Sequence, residues 1–271
     1  ASILIAVYNN EKVVKKTLLA LSKQSSSSFE IIICDDGSDK RIKRMIEQLA
    51  PLFPGGLTHV WQEDKGFRKC RALNRGLCRA ESDYIIALDP DCIPHRHFVK
   101  AHLEERQKGF YLSGRRMNLG EELSSAVLKD EVKVRQLEFP VSYLKHVFLY
   151  GGCRHVEAGL YLPFFLRKLK KPSSLALKGC NMSFWKKDIQ AVNGFEELFE
   201  VPGGGEDTDL KRRFDLIGLK SKSVKHAAIC YHLYHKRIER DMSVKTIFEK
   251  AADRNSSKAV KGMYDNQNSV S

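Results

Sequence analysis

Short apolar runs alternate with segments of helical spacing through the first 95 residues, and this alternation constrains the fold more than any other feature. Ser2 to Val7, Phe29 to Cys34 and Tyr84 to Leu88 have the length and continuous apolarity of strands covered on both faces, and Leu57 to Gln62 reads as a further short strand. Between them Val13 to Ser22 carries apolar residues at 14, 18 and 21, Asp39 to Leu49 reads as a helix, and another opens near Ala72 and runs to Ala80. A β-α-β-α-β-α-β order implies an α/β fold with a doubly wound, mostly parallel sheet. Sheets of this kind bind ligands at the carboxyl ends of their strands, so the residues that follow each strand matter most.

The Tyr84 strand stops at Asp89-Pro90-Asp91. Two carboxylates two residues apart point to one side while the chain stays extended, and Pro90 and Pro94 oppose further ladder pairing. Like charges so placed repel unless a cation lies beside them, and hard oxygen ligands favour Mg²⁺ or Mn²⁺. A polar turn after a core strand would read the same way. The second strand ends in Asp35-Asp36-Gly37-Ser38, where an aspartate can accept hydrogen bonds from a base or ribose or cap the next helix. After the third strand, Lys65, Arg68, Lys69 and Arg71 place four cations within seven residues at a helix entrance, a seat for a diphosphate or a solvated basic face.

The later part of the chain is less regular. His95 to Lys108 reads as a helix, Phe110 to Arg115 as a strand, and Glu121 to Leu137 as a helix ended by Phe139-Pro140. Apolar residues from Gly159 to Leu166 abut the basic run Arg167 to Lys171, a mixture that suits either contact with an anionic lipid surface or a packed insertion showing its lysines to water. Lys186 to Val192 is a helix closed by Gly194. Glu206 and Asp207 follow Pro202-Gly203-Gly204-Gly205 at a helix start, where the dipole stabilises carboxylates that can cap the helix or take a proton from a substrate. Lys222 to Tyr231 alternates loosely and leads to His232 and His235. A three-residue spacing does not put both on one side of a strand, so only one is expected to be a metal ligand. Met242 to Ala252 is amphipathic, and Asn255 to Ser271 has the composition of a disordered tail.

Lys and Arg outnumber Asp and Glu by 46 to 33, a formal charge of +13, which points to an acidic partner: nucleic acid, an anionic membrane surface or phosphorylated small molecules. Carboxylates at three strand or helix ends argue against nucleic acid. A nucleotidyltransferase would be expected to carry a Gly-rich loop after the first strand, and Tyr8-Asn9-Asn10-Glu11 is not one. The seven cysteines form no CxxC pair and suit free thiols in a reducing compartment. No run of about 18 apolar residues is present, so nothing in the sequence is expected to span a bilayer.

Taken in order, Ala6-Val7-Tyr8-Asn9-Asn10, Asp35-Asp36-Gly37-Ser38, Trp61 to Arg68, Asp89-Pro90-Asp91, Gly179-Cys180-Asn181-Met182-Ser183 and Gly205-Glu206-Asp207-Thr208-Asp209-Leu210 resemble the inverting glycosyltransferases of family 2, with the GT-A fold. The resemblance covers residues 2 to 235. It implies a UDP-sugar donor, a hexose or N-acetylhexosamine as the sugar moved, and a glycan or lipid-linked saccharide hydroxyl as acceptor. It also implies that Asp36 and Asp35 read uracil and ribose, that Tyr8 lies against the base, and that Arg68, with Lys65 or Arg71, contacts ribose or diphosphate. Asp91 would bind Mn²⁺ or Mg²⁺ and Asp89 the ribose or a metal-bound water. Asp207 would be the general base, Glu206 an acceptor contact, and His232 a further metal ligand with His235 as the competing choice. The chain divides on this reading into a nucleotide-sugar half (1–110), an acceptor and catalytic half (111–235) and a charged helical or disordered tail (236–271). Cell-surface polysaccharide synthesis in the cytoplasm, peripheral to the inner membrane face, is the setting expected.

Overall fold

The computed structural model describes residues 1–163, 166–167, 176–236, 243–253 and 255–265. A seven-stranded sheet forms the centre, with strands in the order β3-β2-β1-β4-β8-β6-β9. Its members are β1 (Ser2–Val7), β2 (Glu30–Asp35), β3 (Leu57–Trp61), β4 (Tyr84–Leu88), β6 (Phe110–Ser113), β8 (Met182–Trp185) and β9 (Lys220–Ser223). All pairings are parallel except the two made by β8. The chain winds outward from β1 to β3 and then crosses back to β4 on the other side of β1. The crevice between the ends of β1 and β4 is therefore the switch point at which such sheets take ligands.

Alternation along the strands builds two cores. Ile3, Ile5, Ile31, Ile33, Ile86 and Leu88 face one way, against α1 (Glu11–Leu21) and α2 (Lys40–Leu49). Leu4, Ile32, Cys34, Ile85 and Ala87 face the other way, against α3 (Lys69–Arg79) and the Glu206–Leu216 helix. Asp39 caps α2, its side chain accepting from the Arg41 N–H at 2.8 Å.

A second, three-stranded sheet, β5 (Cys92–Pro94), β10 (Ile229–His232) and β7 (Arg115–Asn118), stands beside the first. It corrects two expectations. The Phe110 strand does not end at Arg115: it runs on through Gly114 into the second sheet, and at Gly114 a Cβ would stand 2.2 Å from the Asn181 side chain, so the crossing needs glycine. The Lys222 to Tyr231 segment is two strands in different sheets, broken where His226 turns to a φ of 67°.

Four further readings change. Glu121 to Leu137 is not one helix: Asp130, at a φ of 65°, follows the end of a first piece (Glu121–Leu128), and Val134–Leu137 is a separate turn. Pro140 opens the next helix (Pro140–Tyr150) rather than ending one, since its missing N–H costs nothing in a first turn. The His95 helix is shorter than expected, Phe98–Glu105. Beyond the Ser243–Asp253 helix, residues 255–265 are not a loose tail. Ala259 and Met263 are buried, the Ala259 N–H donates to the Val192 carbonyl at 2.9 Å, and Glu196 accepts from the Val260 N–H at 2.7 Å. Part of the aromatic and basic stretch 159–171 lies outside the described residues. Within them Tyr161 stacks on His95 with ring centroids 5.4 Å apart, and Arg167 pairs with Glu105 at 3.2 Å. No helix among the described residues is long and apolar enough to cross a membrane.

Candidate active site

The switch point is lined from four directions. Asp89 sits one residue past β4, and α3 begins with Lys69 beside it. A cation at a helix start opposes the helix dipole, so Lys69 needs compensation. It is held by two carboxylates, with Asp89 Oδ1 at 3.2 Å and Glu206 Oε1 at 3.4 Å. Burial works against the charge on Lys69, but Asp89, Glu206 and Asp207 outweigh it and hold the ammonium well above its ordinary pKa. Arg116 on β7 approaches the other Asp89 oxygen at 3.8 Å. Burial nevertheless keeps Asp89 above the usual carboxylate value.

Glu206 and Asp207 open their helix where its free N–H groups favour anions. The helix is anchored from within: Asp209 and Arg213, one turn apart and both about 1% exposed, pair at 2.7 Å, and Arg213 also donates to the carbonyls of Val192 and Gly194. Asp207 Oδ2 accepts from the Gly179 N–H at 2.8 Å. Glycine at position 179 leaves room for this carboxylate, since a Cβ there would come within 2.7 Å of Asp207 Oδ1. Burial, reinforced by the neighbouring Glu206 charge, pushes the Asp207 carboxyl up to about 7.

Asp91 faces the second sheet, with His232 Nε2 3.3 Å and His235 Nε2 3.4 Å from its Oδ2. Both histidines reach the same carboxylate, contrary to what strand spacing allows, because β10 ends at His232. The chain then leaves the strand and brings the His235 ring within 5.1 Å of the other. Burial favours the neutral Asp91, yet the two imidazoles overcome it and hold the carboxyl far below its ordinary range, while Asp91 in turn raises His235. His232 Nε2 is buried without a well-formed hydrogen bond. One carboxylate oxygen and two imidazole nitrogens within 4.8 Å of one another, one of them orphaned, fit a divalent cation. The mixed oxygen and nitrogen set suits Mn²⁺ better than Mg²⁺.

At the same edge of the sheet the loops after β1 and β2 are stitched together: the Asn9 N–H donates to Ser38 Oγ at 2.7 Å and the Asp39 N–H to Asn9 Oδ1 at 3.1 Å. Asp36 accepts from Gln62 Nε2 and from the Arg68 N–H, each at 2.6 Å, and burial raises its pKa. Asp35 lies elsewhere than the resemblance implied. Its side chain is fully buried, with the Ser38 N–H at 2.7 Å on one oxygen and His59 at 2.7 Å on the other, so it shapes the turn and does not face the crevice. Tyr8 is exposed, its hydroxyl donating to Asp64 at 2.9 Å. Lys65 pairs with Glu63 on the surface, and the Arg68 guanidinium bonds to the Glu63 carbonyl. Arg71 stands on α3, two residues beyond Lys69, and neither it nor Lys65 touches the acidic cluster. Lys69 and Arg116 are the residues that sequence reasoning missed. Lys69 stood in the basic run without a partner to single it out, and Arg116 belonged to a strand whose second half went unread.

Below these groups a cleft of about 890 Å³ is bounded by Asp89, Arg116, Lys178, Gly179, Asp207 and His235. Residues 2–158 match the family described as Glycosyl transferase family 2, and residues 165–236 match one described as N-terminal domain of galactosyltransferase. The chain is 27% identical over 242 residues to a chondroitin synthase of Escherichia coli, covering 85% of this chain but 34% of that protein, so it spans about a third of this relative. Among solved structures it is similar to the mannosyltransferase PcManGT from Pyrobaculum calidifontis in complex with GDP-Man and Mn²⁺, at a TM-score of 0.58 and 14% identity, covering 94% of this chain and 69% of that one. Residues 1–349 of S. aureus TarS in complex with UDP give a TM-score of 0.61 at 14% identity, covering 97% and 67%. At this identity the likeness is one of fold, the GT-A fold.

Proposed function

Since the chain belongs to glycosyltransferase family 2, we propose that it moves a hexose or N-acetylhexosamine from a UDP-sugar to a hydroxyl of a glycan or lipid-linked saccharide, with inversion at the anomeric carbon. The observation that carries this reading is the convergence on one cleft of Asp89, from the end of β4, with Asp207, while Lys69 ties Asp89 to the neighbouring Glu206. The match to chondroitin synthase supports a glycan acceptor, and the UDP bound by the TarS structure supports the donor.

Asp36 and Tyr8 would flank the base, with Asp35 holding the turn that presents them. Arg68, with Lys65 or Arg71, would meet the ribose or diphosphate from the mouth of α3, and Asp89, fixed by Lys69, would orient the ribose. Asp91, His232 and His235 would hold the cation, whose chemistry there is neutralisation of charge on the departing diphosphate. Asp207, poised near neutrality, takes the acceptor proton as the hydroxyl oxygen attacks, and Glu206 orients that hydroxyl. Attack from the face opposite the leaving group inverts the centre.

Contact with an anionic membrane surface at the cytoplasmic face belongs to the same reading. Val141 and Phe148, 85% and 82% exposed on the Pro140–Tyr150 helix beside Lys145, support it. Nucleic acid is not among the partners proposed.

The test is calorimetric titration of UDP, GDP and CDP into the protein, each with Mn²⁺ and with EDTA. Binding of UDP that requires Mn²⁺ is expected, followed by transfer from a UDP-sugar. No binding of any of the three overturns the reading.

A further inference from the structure

Three of the seven cysteines converge directly behind Asp89. Cys92 lies on β5, Cys180 in the turn that leads to β8, and Cys230 on β10; all three are free and at most 4% exposed. The sulfurs of Cys92 and Cys180 and a carboxylate oxygen of Asp89 lie within 4.8 Å of one another. Cys230 closes the group, its Sγ 3.9 Å from the Cys180 carbonyl oxygen and 3.7 Å from Asn181 Nδ2. The cluster is separate from the Asp91 site in its ligands but touches it, since Cys92 Sγ is 3.6 Å from Asp91 Oδ1. Asp89 and Cys180 also line the cleft, so a small ion has a way in.

Packing alone does not call for this chemistry, because alanine or valine would fill the same space. Two sulfurs and one oxygen form a soft donor set that favours Zn²⁺ and its relatives over Mg²⁺ or Mn²⁺. Tetrahedral ligands about 2.3 Å from one ion stand about 3.8 Å apart, so atoms already within 4.8 Å need to move little to share one.

We propose that Asp89, Cys92 and Cys180 form a second metal site, selective for a soft divalent cation such as Zn²⁺, whose occupation draws Asp89 away from Lys69 and shuts off transfer. Each thiol that binds gives its proton to water, and no electron moves. The inhibitory half of the proposal rests on the placement of Asp89 at the donor, whereas the binding half does not.

Co²⁺ is the probe for binding, added at pH 8 to the nucleotide-free protein. A sulfur-to-cobalt charge-transfer band is expected, displaced by Zn²⁺, lost in Cys92→Ala and in Cys180→Ala, and retained in His235→Gln. Absence of the band from the unaltered protein overturns the site, as does its persistence in both cysteine variants. Because a cysteine variant can misfold, the unaltered protein is also titrated with Zn²⁺ in two buffers of different ionisation heat. Proton release is expected from thiol ligands, and its absence overturns the site. Zn²⁺ should then inhibit sugar transfer at saturating Mn²⁺, and Cys92→Ala should relieve the inhibition. A cobalt band without inhibition overturns the regulatory half. A protein that binds cobalt as described yet transfers no sugar disproves the glycosyltransferase reading and leaves the metal site standing.

Discussion

Lys69 and Glu206, 137 positions apart in the chain, meet with 3.4 Å between ammonium and carboxylate, and the same ammonium reaches Asp89 at 3.2 Å. One side chain thus ties the start of α3 to the start of the helix that bears Asp207. Its charge also lowers the Asp207 pKa, against the burial and the Glu206 charge that raise it. Lys69→Met should therefore cut kcat/KM by about a hundredfold through lost positioning. It should also move the acid limb of the pH profile upward, whereas Glu206→Gln should move that limb downward. Limbs that stay in place in both variants would remove Asp207 as the titrating base.

Asp207→Asn should lower turnover by about 10²- to 10⁴-fold, the usual worth of a general base, with UDP binding retained. The same change bears on stability. The folded-state pKa of about 7 stands above the ordinary 3.8, so this group favours folding most when protonated, and its contribution falls as the pH rises from about 4 to 7. The asparagine variant should match the parent near pH 4 and gain about 1–2 kcal/mol at pH 8, the full pKa difference being discounted for partial exposure. Thermal melts at both values check it.

Gly179→Ala would put a methyl group 2.7 Å from Asp207 Oδ1 and crowd the carboxylate that the Gly179 N–H now holds. A displacement of this size should cost about a hundredfold in kcat with donor affinity little changed. Equal losses in kcat and donor binding would show a wider disturbance.

Asp91→Asn should abolish the Mn²⁺ dependence of UDP binding, and His235→Gln should weaken it, because the two side chains face one point from different elements. Titration of UDP into each variant, with Mn²⁺ and with EDTA, reads the difference directly.

Arg213→Met removes the fully buried partner of Asp209, leaving it only Arg212 at 3.1 Å, and strips the carbonyls of Val192 and Gly194 of their donor, so it should destabilise the fold by up to about 3–5 kcal/mol in urea unfolding. Lys43→Ala, which breaks a pair exposed on both sides, should change stability by less than about 1 kcal/mol.

The first half of the fold was legible because each of its elements is local. Strands buried on both faces give apolar runs such as Ile31 to Cys34, and the loops between them end in the charged residues that the site uses. The second half was harder because its strands change sheets. Gly114 and His226 each interrupt what reads as one extended segment, and nothing in a linear pattern says that the two pieces pair with different neighbours. The carboxylates of the site could be picked out by their place at strand and helix ends. Their partners could not: Lys69 is one of four cations in a short run until the fold brings Glu206 to it, and Asp35 looks equal to Asp36 until its partners, the Ser38 N–H and His59, separate them. The strand rule that admits only one of His232 and His235 does not apply here, because the strand has already stopped at His232.

The docked segment that ends the described chain sets where this unit can be cut. The family match stops at residue 236, yet the Ser256 carbonyl takes a hydrogen bond from Arg212, Met263 fills the core against α3, and Asn193 is bonded by the backbone of 259, 263 and 264. Arg212 lies on the helix that starts with Glu206 and Asp207. An expression boundary drawn at the end of the family match would strip these braces from the helix that starts with Glu206 and Asp207, so the smallest separable piece extends to at least residue 265.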